Sequence, residues 1–255
     1  MITKTKLPKF HGKQIIPKDI KFPEANFLKG DFGEAVFYEV MERTKNYKNV
    51  SALNVLKYED GVVKGSNPFV VVLINQIIRP EGLRTATQVD LEKILKTEAL
   101  NLGGFYEDSA LVLRSEEEPN KYLAQDLAKQ LKARYSKIKH LYPAMISLNS
   151  LELRNDQNSD YGLAFKLKDE AEIFYAPHLS NKNDYKKFSE TGKEGLPLFN
   201  KNGNRILYTI DAGLSRLYLG RGLDLDSDTD DLASSDSDGR VVVVNSEGAS
   251  QNFKG

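Results

Sequence analysis

The apolar positions change period part-way along the chain. In "KGDFGEAVFYEVMERTKN", Phe32, Val36, Phe37, Val40 and Met41 fall on one helical stripe, with Asp31 placed to cap it. "VSALNVLKYEDGVVKG" carries two short strand-like runs around Asp60-Gly61, a hairpin signal. "FVVVLINQII" reads as a buried strand of β-branched residues, broken by Arg79-Pro80-Glu81-Gly82. Val89, Leu91, Ile94, Leu95 and Leu100 return to helical spacing, and Gly103-Gly104 supplies a C-cap signal. "SALVLRS" predicts a strand. "EEEPNKYLAQDLAKQLKARYSKIKH" predicts another amphipathic helix, with Tyr122, Leu123, Leu127 and Leu131 on one face.

After Pro143 the spacing becomes strand-like. "AMISLNSLELRN", "YGLAFKLKD" and "AEIFYAP" alternate or run apolar, "HLSNKNDYKKFSETGKEG" reads as a polar loop, and "LPLFNKNGNRILYTI" reads as a hairpin turning at Asn202-Gly203-Asn204. Residues 1–28 read as an irregular Lys- and Pro-rich arm. The pattern predicts an α+β fold with a mostly antiparallel sheet. It divides into an N-terminal extension with one helix over residues 1–60 and a main domain over 61–255.

Composition narrows the chemistry. The 255 residues are 40% hydrophobic and 28% charged, with 36 Lys plus Arg against 36 Asp plus Glu, so no global charge argues for nucleic acid or an anionic membrane surface. The chain has no cysteine, which excludes disulfides, thiolate metal sites and a cysteine nucleophile. The longest apolar run is too short to span a bilayer, and the basic N-terminus lacks the apolar core of a signal peptide. A soluble, cytoplasmic protein is the default expectation. His11, His140 and His178 are far apart and form no metal-spacing pair, and no complete phosphate-binding loop occurs. The expectation is a protein that is not an enzyme, without catalytic residues or cofactor.

One stretch carries most of the information: "LYLGRGLDLDSDTDDLASSDSDGRVVVV", Leu217 to Val244. Leu217, Leu219, Leu223, Leu225 and Leu232 recur through it, which argues for an ordered polar loop on a rigid support rather than an acidic tail. Asp224, Asp226, Asp228 and Asp230 alternate as EF-hand ligands do. That loop needs Gly sixth and Glu twelfth, yet counting from Asp224 gives Thr229 and Ser235, and from Asp226 gives Asp231 and Ser237. A looser divalent-metal cage, with or without hydrolytic activity, stays open as the alternative. The aspartates also favour a nearby cation, with Arg216, Arg221 and Arg240 as candidates.

From Leu214 to Ser246 there is no Lys, Glu, Gln, Met or Trp, although Lys and Glu abound elsewhere. These are the five residues that no codon ending in a pyrimidine encodes. Change at the first two bases of an AAY codon therefore never yields any of these five.

With that filter and the frame L..LYL...L.L.S....LA.S...GRVVVV, the chain resembles the variable proteins of diversity-generating retroelements, in particular the archaeal variable protein with a C-type lectin-like fold. The resemblance covers the last fifth of the chain. It implies a lectin-like fold with two helices, and a surface loop at about 214–246 rewritten by adenine-directed mutagenic retrohoming to bind ligand. Leu217, Leu219, Leu225, Ser227, Leu232, Ser235, Gly239 and Arg240 match the frame and are expected to be structural. Arg216, Gly220, Arg221, Gly222, Asp224, Asp226, Asp228, Thr229, Asp230, Asp231, Ser234, Asp236, Ser237 and Asp238 resemble the diversified, ligand-contacting set. Tyr218 fits both. The implied partner is a protein or other macromolecule, with a cationic one suited to the aspartates, and no nucleic acid or membrane span is expected.

Overall fold

The computed structural model describes residues 9–10, 13–14, 25–47, 51–135, 141–180 and 186–246. The two-residue strands β1 (Lys9–Phe10) and β2 (Lys13–Gln14) pair with each other, and β3 (Ala25–Phe27) follows. Helix α1 (Gly30–Thr44) buries Phe32, Val36 and Val40 of the expected stripe. Its N-cap is Lys29, without a side-chain bond, and Asp31 instead lies in the first turn, where its charge suits the helix dipole. The hairpin at Asp60-Gly61 forms from β4 (Lys57–Glu59) and β5 (Val62–Lys64).

The segment read as a buried strand is helix α2 (Pro68–Ile78). Asn67 caps it by accepting from Val70 N at 2.9 Å, and Pro68 occupies the first turn, where its missing N–H costs nothing. Ten of its eleven residues are buried. Packing on every side hides the amphipathic period, and the small helix penalty of Val and Ile is outweighed by burial. Strand β6 (Leu83–Thr85) leads to α3 (Gln88–Thr97), where Thr87 and Asp90 form a reciprocal capping box. The helix stops at Glu98 in the left-handed conformation, well before Gly103-Gly104. Strand β7 (Glu107–Leu113) and helix α4 (Lys121–Arg134) follow as expected.

Strands β8 (Ala144–Ser147), β9 (Leu151–Asn155), β10 (Leu163–Leu167) and β11 (Ile173–Tyr175) match the period-two runs. The polar loop expected after His178 contains strand β12 (Lys186–Thr191), in which Phe188 alone is buried. The hairpin expected around Gly203 is absent. Strands β13 (Pro197–Phe199) and β14 (Arg205–Thr209) both pair with β12, which lies between them. A side chain at Gly203 would meet Phe188 N at 2.3 Å, so only glycine lets the chain cross there. Strands β15 (Leu214–Leu219), β16 (Leu225–Ser227) and β17 (Val242–Asn245) complete the fold.

The fold is α+β. Eight strands form one sheet in the order β11-β8-β7-β15-β16-β14-β12-β13, antiparallel except for the β14–β16 pair. A second sheet, β3-β17-β6, ties the N-terminal segment to the end of the described chain. Instead of two helices, the region 61–255 carries three among its described residues, because α2 replaces a strand.

Strand alternation feeds two hydrophobic layers. β7 sends Leu111 and Leu113 to one and Ala110 and Val112 to the other. The four valines split the same way, Val241 and Val243 against Val242 and Val244. Leu28, Phe32, Val36 and Val40 share the larger layer with α2 and α4, so β3 and α1 are built into the main core. Among the described residues, no helix is long and apolar enough to cross a membrane.

Candidate functional site: the β15–β17 surface

β15 sits between β7 and β16, near the middle of the large sheet. Leu217 and Leu219 are fully buried in the smaller hydrophobic layer, while Arg216 and Tyr218 take the opposite face. Leu219 pairs with Leu225, and the residues between them form a tight turn. Gly220 N donates to Asp224 O at 2.8 Å and Leu223 N to Gly220 O at 2.9 Å. Leu223 adopts φ 68°, a left-handed conformation unusual for a leucine, and is only partly buried. The surroundings hold it there: Arg205 Nε donates to Leu223 O, while the guanidinium grips Glu92 at 2.6 and 2.8 Å. Asp224 Oδ1 accepts from Ile206 N at 2.6 Å, so that carboxylate closes the turn against β14.

Between β16 and β17 the chain has no regular structure, yet its backbone is anchored repeatedly. Leu232 is fully buried in the larger layer. Asn120 Nδ2 donates to Leu214 O at 2.7 Å and to Asp230 O at 2.6 Å, and Leu232 N donates to Tyr161 Oη at 3.2 Å. Asn67 Nδ2 donates to Ala233 O at 3.2 Å as well as to Ala52 O at 2.8 Å. Ser235 Oγ accepts from Ser66 N at 3.0 Å, and Asp236 N donates to Tyr106 Oη at 3.0 Å. Arg240 donates to Ser237 O and Gly239 O, both at 2.7 Å, and stacks on Phe105 at 4.4 Å. A side chain at Gly239 would meet Ser66 N at 2.6 Å.

Beneath the surface lie buried charges. Asp108 accepts from Ser66 Oγ at 2.6 Å, and its other oxygen is 3.5 Å from Arg216 Nη1. Burial raises the Asp108 pKa, and Arg216 and Ser66 only partly offset it. Arg216 also donates to Ser234 O at 2.8 Å and stacks on Tyr218 at 4.5 Å. Glu107, wholly buried beside Asp108, is pushed well above the usual carboxylate range, first by burial and then by that neighbour.

On the other face, Arg114 donates to Ser227 Oγ at 2.7 Å, Thr209 Oγ1 at 2.8 Å and Ser215 Oγ at 2.8 Å. Burial pulls its pKa down to about 9, opposed by Asp211 and Asp228. These bonds explain a serine at position 227.

The residues resembling the diversified set therefore separate by exposure. Arg221, Gly222, Asp228, Asp230, Asp231, Ser234, Asp236 and Ser237 are exposed, and Asp224, Asp226, Thr229 and Asp238 are partly so. Arg216 and Gly220 are buried, against expectation. Arg216 is drawn in by Asp108, and a side chain at Gly220 would meet Asp226 Oδ2 at 2.5 Å. Asp226 pairs with Tyr208 and Tyr218 across the sheet. Its pKa is raised to about 7 by burial, then by Asp228 and Asp224.

Of the three candidate cations, Arg221 pairs with the loop aspartates, reaching Asp236 and, at 2.9 Å, Asp238. Among the described residues, no group of three or more His, Asp or Glu is arranged to hold a metal ion. His178 is exposed, edge-on to Phe199 at 5.2 Å, and His11 and His140 lie outside the described residues.

The anchors Tyr106, Asp108, Asn120 and Tyr161 carry no signal in sequence beyond being polar residues near predicted element ends, and Asn67 shows only as a cap before Pro68. No family model, no curated protein and no solved structure matches the chain.

Proposed function

We propose that this chain is a ligand-binding display protein on a C-type lectin-like fold, with its β15–β17 surface diversified by adenine-directed mutagenic retrohoming. One observation carries the reading. Leu217, Leu219, Leu225 and Leu232, all of the frame, have no exposed surface, while eight of the fourteen intervening residues are exposed. Folding energy and surface identity thus reside in different side chains, as a rewritable binding surface requires. The loop's many backbone anchors also limit the ordering entropy that each new ligand costs.

The mostly antiparallel sheet with β15 near its centre supports the lectin-like reading. Asp228, Asp230 and Asp231 are exposed and make no ion pair among the described residues, which favours a cationic protein surface or other basic macromolecule. On this reading the chain is not an enzyme and needs no cofactor.

The decisive experiment is a library in which Asp228, Asp230, Asp231, Ser234, Asp236 and Ser237 are exchanged together for residues that AAY-derived codons encode. Most members are expected to melt within a few degrees of the parent while their capture of basic peptides changes. General loss of folding would overturn the proposal. A near-copy of the last coding segment beside the gene, differing where its bases are adenine, is the matching genomic expectation.

A further inference from the structure

A separate open cleft of about 800 Å³ lies where the end of α2, the start of α3, the turn after β8 and the segments around β10–β11 meet. Of the 214–246 stretch only Ser246, just after β17, reaches it. Its volume is within the range of small-molecule pockets, about 300–1,000 Å³.

The charges on its wall are unequally matched. Arg84 is neutralised by Asp90, which it contacts with both terminal nitrogens, one at 2.9 Å. Arg79 and Lys168 have no such partner. Among the described residues neither makes an ion pair, and Lys168 Nζ donates only to the carbonyl of Asn149 at 2.7 Å. Two acids on the same wall are directed elsewhere, Glu152 to Lys166 at 3.7 Å and Asp169 to Arg134 at 3.5 Å. Burial, and then the charge of Arg79, draws the Lys168 pKa down to about 8 despite Glu152. The two cations therefore feel each other, and a negative group placed between them would relieve that repulsion.

Asn75 adds a neutral donor. It is the one fully buried polar residue of α2, 1% exposed, and it lines the cleft. Its Oδ1 accepts from Thr85 N at 3.3 Å, and its Nδ2 has no acceptor among the described residues. A ligand oxygen in the cleft can accept from that amide nitrogen. The remaining acids on the wall, Glu170, Glu172 and Glu194, disfavour a polyanion such as nucleic acid. Phe174 and Val89 offer apolar surface for the rest of a small ligand.

We propose that this cleft binds a small molecule through one oxyanion group, a carboxylate or a tetrahedral oxyanion, held between Arg79 and Lys168 with Asn75 as a third donor. Sulfate and succinate, titrated separately by calorimetry into the full chain, supply the two chemistries. Saturable binding of at least one is expected, and the better of the two identifies the group. Arg79→Gln and Lys168→Gln are each expected to weaken it about tenfold or more. Arg79 is exposed, so R79Q keeps the fold even if K168Q does not, and R79Q alone then decides. No saturable binding of either anion, or binding that R79Q leaves unchanged, overturns the proposal.

Discussion

Arg216 and Asp108 face each other at 3.5 Å, at 5% and 4% exposure, across the β7–β15 pairing. The separation makes an ion pair rather than a hydrogen bond, and Asp108 Oδ1 has no other partner. Removing the arginine leaves a buried carboxylate uncompensated, which typically costs about 3–5 kcal/mol. Arg216→Ala is expected to destabilise by that order in urea unfolding, and adding Asp108→Asn should recover much of it. Equal stability of R216A and the parent would show that the pair contributes little.

Exposed and buried positions of one short segment should differ sharply. Asp230→Ser is expected to change stability by no more than about 0.5 kcal/mol. Leu232→Ala, a few ångströms of chain away, should cost about 2–5 kcal/mol, because it opens a cavity in the larger layer. Thermal melts of both variants check the contrast.

Asp226 gives a signed pH dependence. Its folded-state pKa is raised from 3.8 to about 7, so the folded chain holds a proton that the unfolded chain releases between those values. Stability therefore falls as pH rises through that window and levels off above it. Asp108 and Glu107, also raised, act in the same direction. Asp226→Asn should gain stability relative to the parent on going from about pH 4 to about pH 8. A difference between the two proteins that stays constant with pH would refute the assignment.

Asn67 joins two distant segments. Its Oδ1 caps α2, and its Nδ2 holds Ala52 O and Ala233 O. Asn67→Ala is expected to lose about 1–2 kcal/mol for the cap alone. It should also speed hydrogen exchange of the amides around Ala233, while those of β7 shift only with global stability. Uniform change at both places would mean that the loop does not depend on this anchor.

The leucines and valines of the C-terminal stretch were legible because alternation and burial coincide there. Leu217, Leu219 and Leu225 lie where a period of two puts them, and Val241 to Val244 divide between layers as a two-sided strand must. α2 was illegible for the opposite reason, since a helix buried on all sides has no polar face to mark its period. Its start was still written in Asn67-Pro68, a cap followed by a first-turn proline. β12 was hidden because only Phe188 among its residues is buried, and its presence unmade the hairpin expected around Gly203. The burial of Arg216 depends on Asp108, more than a hundred residues earlier, a contact that no local pattern reveals.

β15 also sets a rule on how the molecule can change. Leu217 and Leu219 enter one layer while Arg216 and Tyr218 take the opposite face; β7 pairs with all six of its residues, with one register shift between Leu217 and Tyr218, and β16 pairs with the last two. One amino acid inserted between Leu214 and Leu219 would turn Leu217 or Leu219 toward Asp108 and drive a charged group into the apolar side. Spelling can vary along this strand; length cannot.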